Sequence, residues 1–568
     1  MTDRSSDNFP AVDGWSRRGF LRSAAALAAV PVLLAADPAV AAAELPGFPA
    51  DVALYRSAYR NWVGEITADG LWACAPADAG QVLAVVDWAW RNGWRVRARG
   101  SSHGWSPLTI TEGTGAAEQV LLVDTTSHLT GLSLDSGSAV RAGTGVTLEA
   151  LLTFLEDQGL GLTAAPAPGD LTLGGALAID AHGTAVPADG EDPVPGHTYG
   201  SLSNLVLSLT AVVWDGSAGA YVLRTFRRDE ADCAALLTHL GRALVTEVVL
   251  RVGANSRLRC VSRTDVPAAE LFAAPGSGGR TLDGFLRRSG RVEAIWFAFT
   301  EYPWLKEWSV APDRPLTSRH VTSPYNYPFS DNVPTVVADL VGRMVSDAAW
   351  YLAPVLGNAQ LDVATVGLAA TSSSDIWGAS KNTLLYIRPT TLRVGANGYA
   401  VLTGRPDVQR VVHEFTSFYR ERLTAYAASG RFPVNGSVEI RVTGLDEASD
   451  AGVAGAQVPL LSAVRPREGA DTAVWLDVLT LPGTPHAEAF LRELERFLFE
   501  RFEGTRVEWS KGWAYTESGV WSDEEVLGTR VPESFGSAVW DAAVEVVDRL
   551  DPHRVFSNGF LDGMLVRR

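Results

Sequence analysis

The chain has 568 residues, of which 46% are hydrophobic and 20% are charged, a composition typical of a globular protein with two or more domains. Its net charge of −17 argues against the basic surface of a nucleic-acid-binding protein. The three cysteines, Cys74, Cys233 and Cys260, are far apart and odd in number, so we expect buried, inert thiols rather than a disulfide framework or a cysteine metal site.

The N-terminus has the pattern of a twin-arginine export signal. Arg17 and Arg18 precede an apolar run at residues 24–36, and small residues follow at 39–43. A bilayer-spanning helix needs about 20 apolar residues, and this run is shorter. We therefore predict a signal peptide at residues 1–43 and a secreted or extracytoplasmic protein; the alternative is an uncleaved membrane anchor. Twin-arginine export carries folded proteins, often with their cofactor bound.

Residues 44–255 indicate a mixed α+β domain rich in glycine. A strand is predicted at residues 94–98 and another at 205–214, before the turn pair Asp215-Gly216. Between them, leucines with helical spacing predict a helix that ends near Gly159; they are Leu148, Leu151, Leu152 and Leu155.

Residues 256–506 alternate predicted strands with amphipathic helices. The strands are predicted at residues 293–300, 383–394, 438–444 and 473–481. One helix is predicted after Asp407, with Val411, Phe415 and Phe418 on one face, and a second after Thr484-Pro485, with Phe490, Leu494, Phe497 and Leu498 on one face.

Three stretches of small residues indicate a cofactor site. Residues 97–105 follow a strand and expose successive backbone amides, a nest that can hold a pyrophosphate. Residues 165–184 and 195–206 add glycines that allow close approach to the backbone. The pattern is not the G-x-G-x-x-G fingerprint, so a Rossmann fold is not indicated. Each stretch alone is most simply a glycine turn, but their order and spacing favour a cofactor.

In these stretches the chain resembles the flavin-binding domain of the vanillyl-alcohol-oxidase superfamily, a two-subdomain, PCMH-type FAD-binding domain. The resemblance implies FAD as cofactor, bonded covalently through His103. It assigns the cofactor contacts to Arg99, Gly100, Ser101, Ser102, His103, Gly104, Trp105, Pro168, Gly169, Leu173, Gly174, Gly175, His182, Gly183, Gly200, Ser201, Asn204 and Val206.

Within that superfamily the chain is most similar to the type II, covalent-FAD cholesterol oxidases. The similar stretches are residues 197–205, 296–306, 324–327, 375–378, 439–441, 508–513 and 551–560. The resemblance implies an FAD-binding domain at 44–255 and a substrate-binding cap domain at 256–506, with an antiparallel sheet flanked by helices. Residues 507–568 would complete the cofactor and active-site region.

A carboxylate and a guanidinium share one face of the strand predicted at residues 438–444. Period two places Val438, Ile440 and Val442 on one face, and Glu439 and Arg441 on the other. The charged face is either solvated or lies near the flavin. The resemblance favours the second alternative and implicates Arg441 in oxygen access.

Two further residues acquire catalytic roles through the resemblance. Glu301 follows an apolar strand, where a carboxylate lies either at a cavity mouth or in solvent. Lys511 lies between Trp509 and Trp513 and is either a surface lysine or a sheltered cation beside the flavin, which would stabilise the reduced ring.

The chain departs from the family pattern at two positions. Asp477 stands where the family has an active-site asparagine, and an ionised carboxylate cannot donate a hydrogen bond as an amide does. Asp477 must therefore be protonated, or act as a base. His320 stands where the family has an acidic residue near its oxygen path.

The resemblance implies an oxidase that converts the 3β-hydroxyl of a sterol and O2 to the ketone and hydrogen peroxide. Glu439, Glu301 or Asp477 would accept the hydroxyl proton, and Glu301 or Glu439 would move the double bond from position 5 to position 4. The alternatives are an oxidase or dehydrogenase of an alditol or sugar, and a non-catalytic flavoprotein or secreted lipid-binding protein. We expect a monomer without metal or nucleic acid, with transient contact to membranes or lipid particles.

Overall fold

The computed structural model describes residues 45–328 and 335–568. The predicted signal segment, residues 1–43, lies outside the described residues. In the part that is described, no helix combines the length and apolar character that crossing a membrane requires. Cys74, Cys233 and Cys260 are free and buried, as the sequence predicts.

The first layer is a four-stranded sheet in the order β1-β2-β4-β3, with one helix in the same region. The helix begins at Asp78, whose side chain accepts a hydrogen bond from the amide of Gln81, and it buries Val82, Val85 and Val86. The bounds are β1 (Ala53–Arg60), β2 (Thr67–Ala75), α1 (Ala79–Arg91), β3 (Arg95–Arg99) and β4 (Val120–Asp124). The strand predicted at residues 94–98 is confirmed as β3, one residue further on.

The second layer is a five-stranded antiparallel sheet in the order β5-β6-β10-β8-β9, beside a two-stranded ribbon of β7 and β11. Helix α2 begins at Thr147, which caps the amide of Ala150, and its predicted leucine face is buried. The bounds are β5 (Leu132–Ser136), β6 (Ala139–Gly143), α2 (Leu148–Asp157), β7 (Leu160–Gly161), α3 (Leu173–Ala178), β8 (Val206–Asp215), β9 (Ala220–Arg227), α4 (Cys233–Leu236), β10 (Leu244–Arg251) and β11 (Gly253–Ala254).

The third layer is a nine-stranded sheet in the order β15-β16-β12-β14-β13-β18-β19-β17-β20, antiparallel except for the β15–β16 pair. Its strands are β12 (Arg257–Arg263), β13 (Arg291–Phe297), β14 (Trp304–Val310), β15 (Arg319–His320), β16 (Asp375–Ala379), β17 (Gly395–Thr403), β18 (Ser437–Thr443), β19 (Thr472–Thr480) and β20 (Thr505–Val507).

The helices of the second half pack on this sheet or follow it. They are α5 (Ala268–Leu271), α6 (Leu282–Ser289), α7 (Thr335–Ser346), α8 (Ala353–Ala370), α9 (Ser380–Leu384), α10 (Val408–Ala428), α11 (Ala487–Arg501), α12 (Val531–Phe535), α13 (Ser537–Leu550) and α14 (Gly559–Met564). Shorter turns are the 3-10 helices Leu202–Leu205, Trp350–Leu352, Arg405–Asp407 and Ala448–Ala451, and a π-helix at Val526–Arg530.

One face of the nine-stranded sheet forms the largest core with α10 and α11. Val438, Ile440 and Val442 are each fully buried there, against Phe415 and Phe490 among others. Burial of each large apolar side chain stabilises the fold by about 1.5–3 kcal/mol. The two helices and the apolar faces predicted for them are confirmed, and the sheet's opposite face is left for the site.

Two predicted strands differ from the structure. Residues 383–394 do not form a strand: α9 ends at Leu384, and the amides of Tyr386 and Ile387 then bond to the carbonyl of Ala167. The backbone amides of this segment therefore donate to a neighbouring loop and not to a strand. The strand predicted to reach Thr300 ends at Phe297, because the chain turns at Phe299, whose φ is 64°.

The two smaller sheets lie within residues 53–251, and the nine-stranded sheet lies within residues 257–507. The α+β fold class, with an antiparallel sheet flanked by helices in the second half of the chain, is confirmed. The domain limits 44–255, 256–506 and 507–568 stay a prediction.

Candidate active site

A cavity of about 400 Å³ lies between the glycine-rich loops and the free face of the nine-stranded sheet. On one side it is lined by residues of 97–109 and 165–184, which we call the glycine loops. On the other side it is lined by Glu293, Glu439 and Arg441 of the sheet, and by Glu508 and Lys511 of the segment after it. The site therefore has two walls: the glycine loops, which offer mainly backbone atoms, and the acidic and basic side chains opposite them, which we call the charged wall.

The first glycine loop offers amides that have no protein acceptor. Within the described residues, the backbone N–H groups of Gly100 to Gly104 make no hydrogen bond to protein, whereas Trp105 N–H donates to Ser510. Ser102 has a φ of 58°, the left-handed conformation that alternates with right-handed residues in an anion-binding nest. These residues fit the pyrophosphate of a dinucleotide cofactor.

His103 is fixed on two sides. Its Nε2 lies 2.7 Å from Oδ2 of Asp170, and its ring stacks on Trp62 with 4.2 Å between centroids. Nδ1 makes no hydrogen bond to any described residue. The imidazole is therefore oriented at the cavity wall with one nitrogen held and the other available.

The second glycine loop brings His182 and Gly183 to the cavity. The His182 ring stacks on Trp475 at 3.5 Å, and burial lowers its pKa to about 3. His182 is therefore a neutral wall residue near physiological pH. A Cβ on Gly183 would lie 2.7 Å from the backbone nitrogen of Ala165. This position therefore requires glycine, because the two segments of the loop pass close to each other here.

The third stretch does not line the cavity, which corrects the contacts predicted at Gly200, Ser201, Asn204 and Val206. Ser201 donates to Asp446 through both its amide and its hydroxyl. The Asn204 amide donates to Asp450 and accepts from Arg228. The polar groups that looked available for a cofactor are used to tie this turn to residues 446–450.

Two contacts predicted in the second stretch also lie outside the cavity lining. Gly169 packs against Glu149, and Leu173 is buried in the core of the five-stranded sheet. The other predicted contacts of both glycine loops do line it: Arg99, Gly100, Ser101, Ser102, His103, Gly104, Trp105, Pro168, Gly174, Gly175, His182 and Gly183.

Strand register assembles the charged wall. Glu293 of β13 lies opposite Lys306 of β14 and Arg441 of β18, while Glu439 of β18 lies opposite Asp477 of β19. All five side chains share the face that the apolar core does not use, as period two predicts for Glu439 and Arg441. The alternative of a solvated strand face is wrong for this pair.

Arg441 is the hub of this wall. Its Nε donates to Glu293 and its Nη1 to Asp477, each at 2.8 Å, and its Nη2 donates to Glu439. The Glu293 and Asp477 side chains are 1% and 0% exposed, so three carboxylates depend on one guanidinium in a region largely closed to water. A planar fork with five donors suits this task better than an ammonium.

Glu293 is the carboxylate that sequence reasoning missed. Its Oε2 accepts from the Tyr386 hydroxyl at 2.5 Å and lies 3.4 Å from Nζ of Lys306. Burial raises the pKa of Glu293, but the Lys306 and Arg441 cations outweigh it and hold the pKa below the ordinary range. We therefore describe Glu293 as ionised.

A compositional signal pointed to this region. The sequence has only three lysines among 48 lysines and arginines, and Lys306 and Lys511 both lie at the charged wall. The Lys306 ammonium lies 3.2 Å from the ring centroid of Tyr386 and 4.4 Å from that of Trp304, so aromatic faces replace its water. A guanidinium is larger and planar, which gives a physical reason for lysine here.

Glu301 does not belong to the site, contrary to the prediction. It is exposed and does not line the cavity. The turn at Phe299 carries the chain out of the sheet before residue 301 is reached. His320, the second departure from the family pattern, is also exposed on β15 and outside the lining, where it packs near Trp377.

Lys511 and Asp477 meet beside the cavity. Nζ of Lys511 donates to Oδ2 of Asp477 at 3.1 Å and lies 3.8 Å from Glu508. Burial lowers the pKa of Lys511, but Asp477 and Glu508 raise it above its ordinary value, so the residue is a sheltered cation and not a surface lysine. Asp477 is fully buried behind the lining.

The C-terminal segment closes the site from behind. Arg97 of β3 is buried and donates to the carbonyls of Phe556 and Thr109. Ser510 accepts from the amides of Trp105 and Ser106. Residues after 507 therefore hold the first glycine loop in place.

Comparison with known families identifies both halves of this site. The family model described as "Cholesterol oxidase, substrate-binding" matches residues 257–566, and the one described as "FAD binding domain" matches residues 72–218. Mouse L-gulonolactone oxidase is 25% identical over 248 residues, 43% of this chain; the chain spans about half, 49%, of the length of that relative.

Solved structures resemble the chain over almost its whole described length. A solvent-stable cholesterol oxidase is 52% identical with a TM-score of 0.90, and the cholesterol oxidase from B. sterolicum is 43% identical with a TM-score of 0.89. A histidine-to-alanine mutant of the Brevibacterium sterolicum enzyme is 43% identical with a TM-score of 0.88. Each match covers 92% of this chain and 99% of the other.

Proposed function

Since the chain belongs to the cholesterol oxidase family defined by its substrate-binding domain, we propose that it is an FAD-dependent oxidase of the sterol 3β-hydroxyl group. The observation that carries the proposal is the cavity itself, where unpaired loop amides face a wall of carboxylates and cations. The glycine loops would hold FAD, and the cofactor would supply the hydride-accepting chemistry, with O2 as the final electron acceptor and hydrogen peroxide as the product.

Glu293 and Glu439 are the carboxylates that we assign to proton transfer, because both line the cavity and both accept a hydrogen bond from Arg441. Arg441 orients them by donating to each. We assign proton acceptance in oxidation to Glu439, whose side chain is 16% exposed, and leave to Glu293 the proton transfer that moves the double bond. Lys511 supplies a positive charge beside the cavity, which would stabilise the negative charge of a reduced flavin.

A peroxide assay on purified protein tests the substrate. We expect peroxide with cholesterol and O2, and bleaching of the flavin band when cholesterol is added anaerobically. Sorbitol and a sugar should give neither. A flavin bleached by the polyol but not by cholesterol would replace the sterol with the alternative alcohol class.

The carboxylate roles have a matched control. Glu439→Gln should slow flavin reduction by about 10²-fold, the range in which general bases contribute. Glu301→Gln makes the same chemical change on an exposed residue outside the cavity and should leave the rate unchanged. Equal losses in the two variants would remove Glu439 from the mechanism.

Covalent attachment of FAD through His103 is supported by the position of the ring. Asp170 holds Nε2 and Trp62 holds the face, which leaves Nδ1 for the bond. After acid precipitation we expect yellow colour in the pellet of wild type and of His128→Ala, an exposed histidine used as control. The flavin of His103→Ala should stay in the supernatant; yellow wild-type supernatant would contradict the bond.

Export by the twin-arginine route rests on the sequence of residues 1–43. Replacing Arg17 and Arg18 together with lysine should retain active protein inside the cell, and fractionation with a peroxide assay measures it. We further expect a monomer that touches lipid surfaces transiently; light scattering and flotation with cholesterol-containing vesicles test the two expectations.

A further inference from the structure

Two buried carboxylate oxygens beside the cavity have no donor. Oδ1 of Asp477 and Oε2 of Glu508 are closed to solvent, and neither accepts a hydrogen bond from any described residue. Both lie next to the same point, because a Cβ on Gly398 would be 3.0 Å from Oδ1 and 2.7 Å from Oε2. Two buried acceptors side by side are satisfied together if one of them carries a proton.

The other oxygen of Asp477 is fully used. Oδ2 accepts from Arg441 at 2.8 Å and from Lys511 at 3.1 Å. A neutral acid can accept both bonds through its carbonyl oxygen and still donate through its hydroxyl. The contacts on Oδ2 therefore do not require an ionised Asp477.

A charge count decides between the two forms. The buried cations here are Lys306, Arg441 and Lys511, and His182 is neutral. The carboxyl groups that face them number four: Glu293, Glu439, Asp477 and Glu508. Three cations balance three carboxylates, so a single shared proton makes this buried group neutral, whereas four ionised carboxylates leave one charge uncompensated.

We propose that Asp477 is a neutral carboxylic acid whose proton lies between its Oδ1 and Oε2 of Glu508. Asp477 does not line the cavity, so it is a positioning residue that holds Lys511 and Arg441 without cancelling their charge. Burial and the Glu508 carboxylate raise the pKa of Asp477, against the opposing effect of Lys511 and Arg441. The functional consequence rests on the proposed oxidase activity, while the protonation itself does not.

Infrared spectroscopy of the flavin-loaded protein tests the proton directly. We expect a protonated-carboxyl C=O band at pH 7 that shifts in D2O and is missing in Asp477→Asn. Glu508→Gln should remove the same band, because its amide can donate to Oδ1 and three carboxylates then balance three cations. Glu301→Gln, which alters an exposed carboxylate, should retain the band. A spectrum unchanged in both Asp477→Asn and Glu508→Gln overturns the proposal.

Stability separates the neutral acid from an ordinary ion pair. Keeping a buried acid protonated costs free energy at pH values above its unfolded pKa, and asparagine removes that cost. Asp477→Asn should therefore melt at the same temperature as wild type, or higher, at pH 7. A clear fall in Tm at pH 7 that disappears at pH 4 would show that ionised Asp477 pairs with the two cations, and would overturn the proposal.

Anaerobic flavin reduction by cholesterol measures the consequence. The wild-type rate should fall at alkaline pH, because Asp477 then loses the shared proton and its negative charge offsets the positive charge of Lys511. Asp477→Asn should lack this fall, so its rate at alkaline pH should stay within about threefold of its own rate at pH 6. Wild-type flavin that cholesterol does not bleach at any pH would refute the oxidase function and leave the infrared result standing.

Discussion

The two walls of the cavity are built in opposite ways. The glycine loops contribute backbone amides and small side chains from two continuous segments, 97–109 and 165–184. The charged wall takes Glu293, Lys306, Arg441 and Asp477 from four strands, β13, β14, β18 and β19, and Lys511 from a later segment. One wall is local in sequence and the other is assembled by strand pairing.

This difference has an energetic counterpart. The glycine loops fit a cofactor because many of their side chains are small or absent, so a substitution there destabilises the protein through steric clashes. The charged wall contains buried charges that are tolerated only while each is paired, so a substitution there leaves an unpaired charge and costs more free energy. Substitutions in the two walls should therefore differ in how much stability they remove and in how that loss depends on pH.

The largest effect should come from the hub of the charged wall. Arg441→Ala leaves Glu293 and Asp477 buried without their guanidinium, and we expect a loss of about 3–5 kcal/mol in the free energy of unfolding. Urea unfolding at pH 7 measures it. Arg314→Ala, which removes only a bond to the Ser318 carbonyl, is the control. Similar small losses in both variants would contradict a hub.

Behind the charged wall, Glu495 should make stability depend on pH. It accepts from the Tyr399 hydroxyl and from the amides of Ala514 and Tyr515, and burial raises its pKa to about 7. The folded state then binds a proton that the unfolded state has released, so stability falls as pH rises from about 4.5 to about 7, by about 3 kcal/mol.

Glu495→Gln should remove this part of the fall, and unfolding curves at pH 5 and pH 7.5 measure the change. Glu500→Gln, an exposed position on the same helix, should keep the wild-type dependence. If the glutamine variant loses stability across the same window as wild type, Glu495 is ionised in the folded protein.

A steric test of the glycine wall should give a smaller effect that does not vary with pH. Gly183→Ala places a Cβ against the Ala165 backbone, and we expect a loss of about 2 kcal/mol together with lower flavin content. Gly115→Ala, where nothing lies within 4 Å, controls for the added methyl group. Full flavin content and unchanged stability in Gly183→Ala would contradict the close passage.

The smallest effect should follow removal of a single hydroxyl. Tyr386→Phe keeps the ring over Lys306 but deletes the hydrogen bond to Glu293, and we expect about 1.5 kcal/mol. Thermal unfolding measures it, with the exposed Tyr351→Phe as control. Because Glu293 keeps Lys306 and Arg441, the loss should stay well below that of Arg441→Ala.

The same contrast explains which predictions held. The glycine loops were found from sequence because their chemistry lies in adjacent residues, and period two placed Glu439 and Arg441 correctly on one face. Glu301 was predicted and Glu293 was missed, because the sequence does not show that the chain turns at Phe299. The third stretch looked the same as the other two, but residues 446–450, distant in sequence, had taken its polar groups.

By itself, the sequence determined the α+β class, the two cofactor loops, the apolar faces of α10 and α11 and the pairing of Glu439 with Arg441, because each depends on residues close along the chain. Only the tertiary structure decided that Glu293 and Lys306 join the site and that Asp477 faces Glu508. Strand register brings these charged groups together and burial strengthens the interaction between them. Both are set only when the sheet has formed.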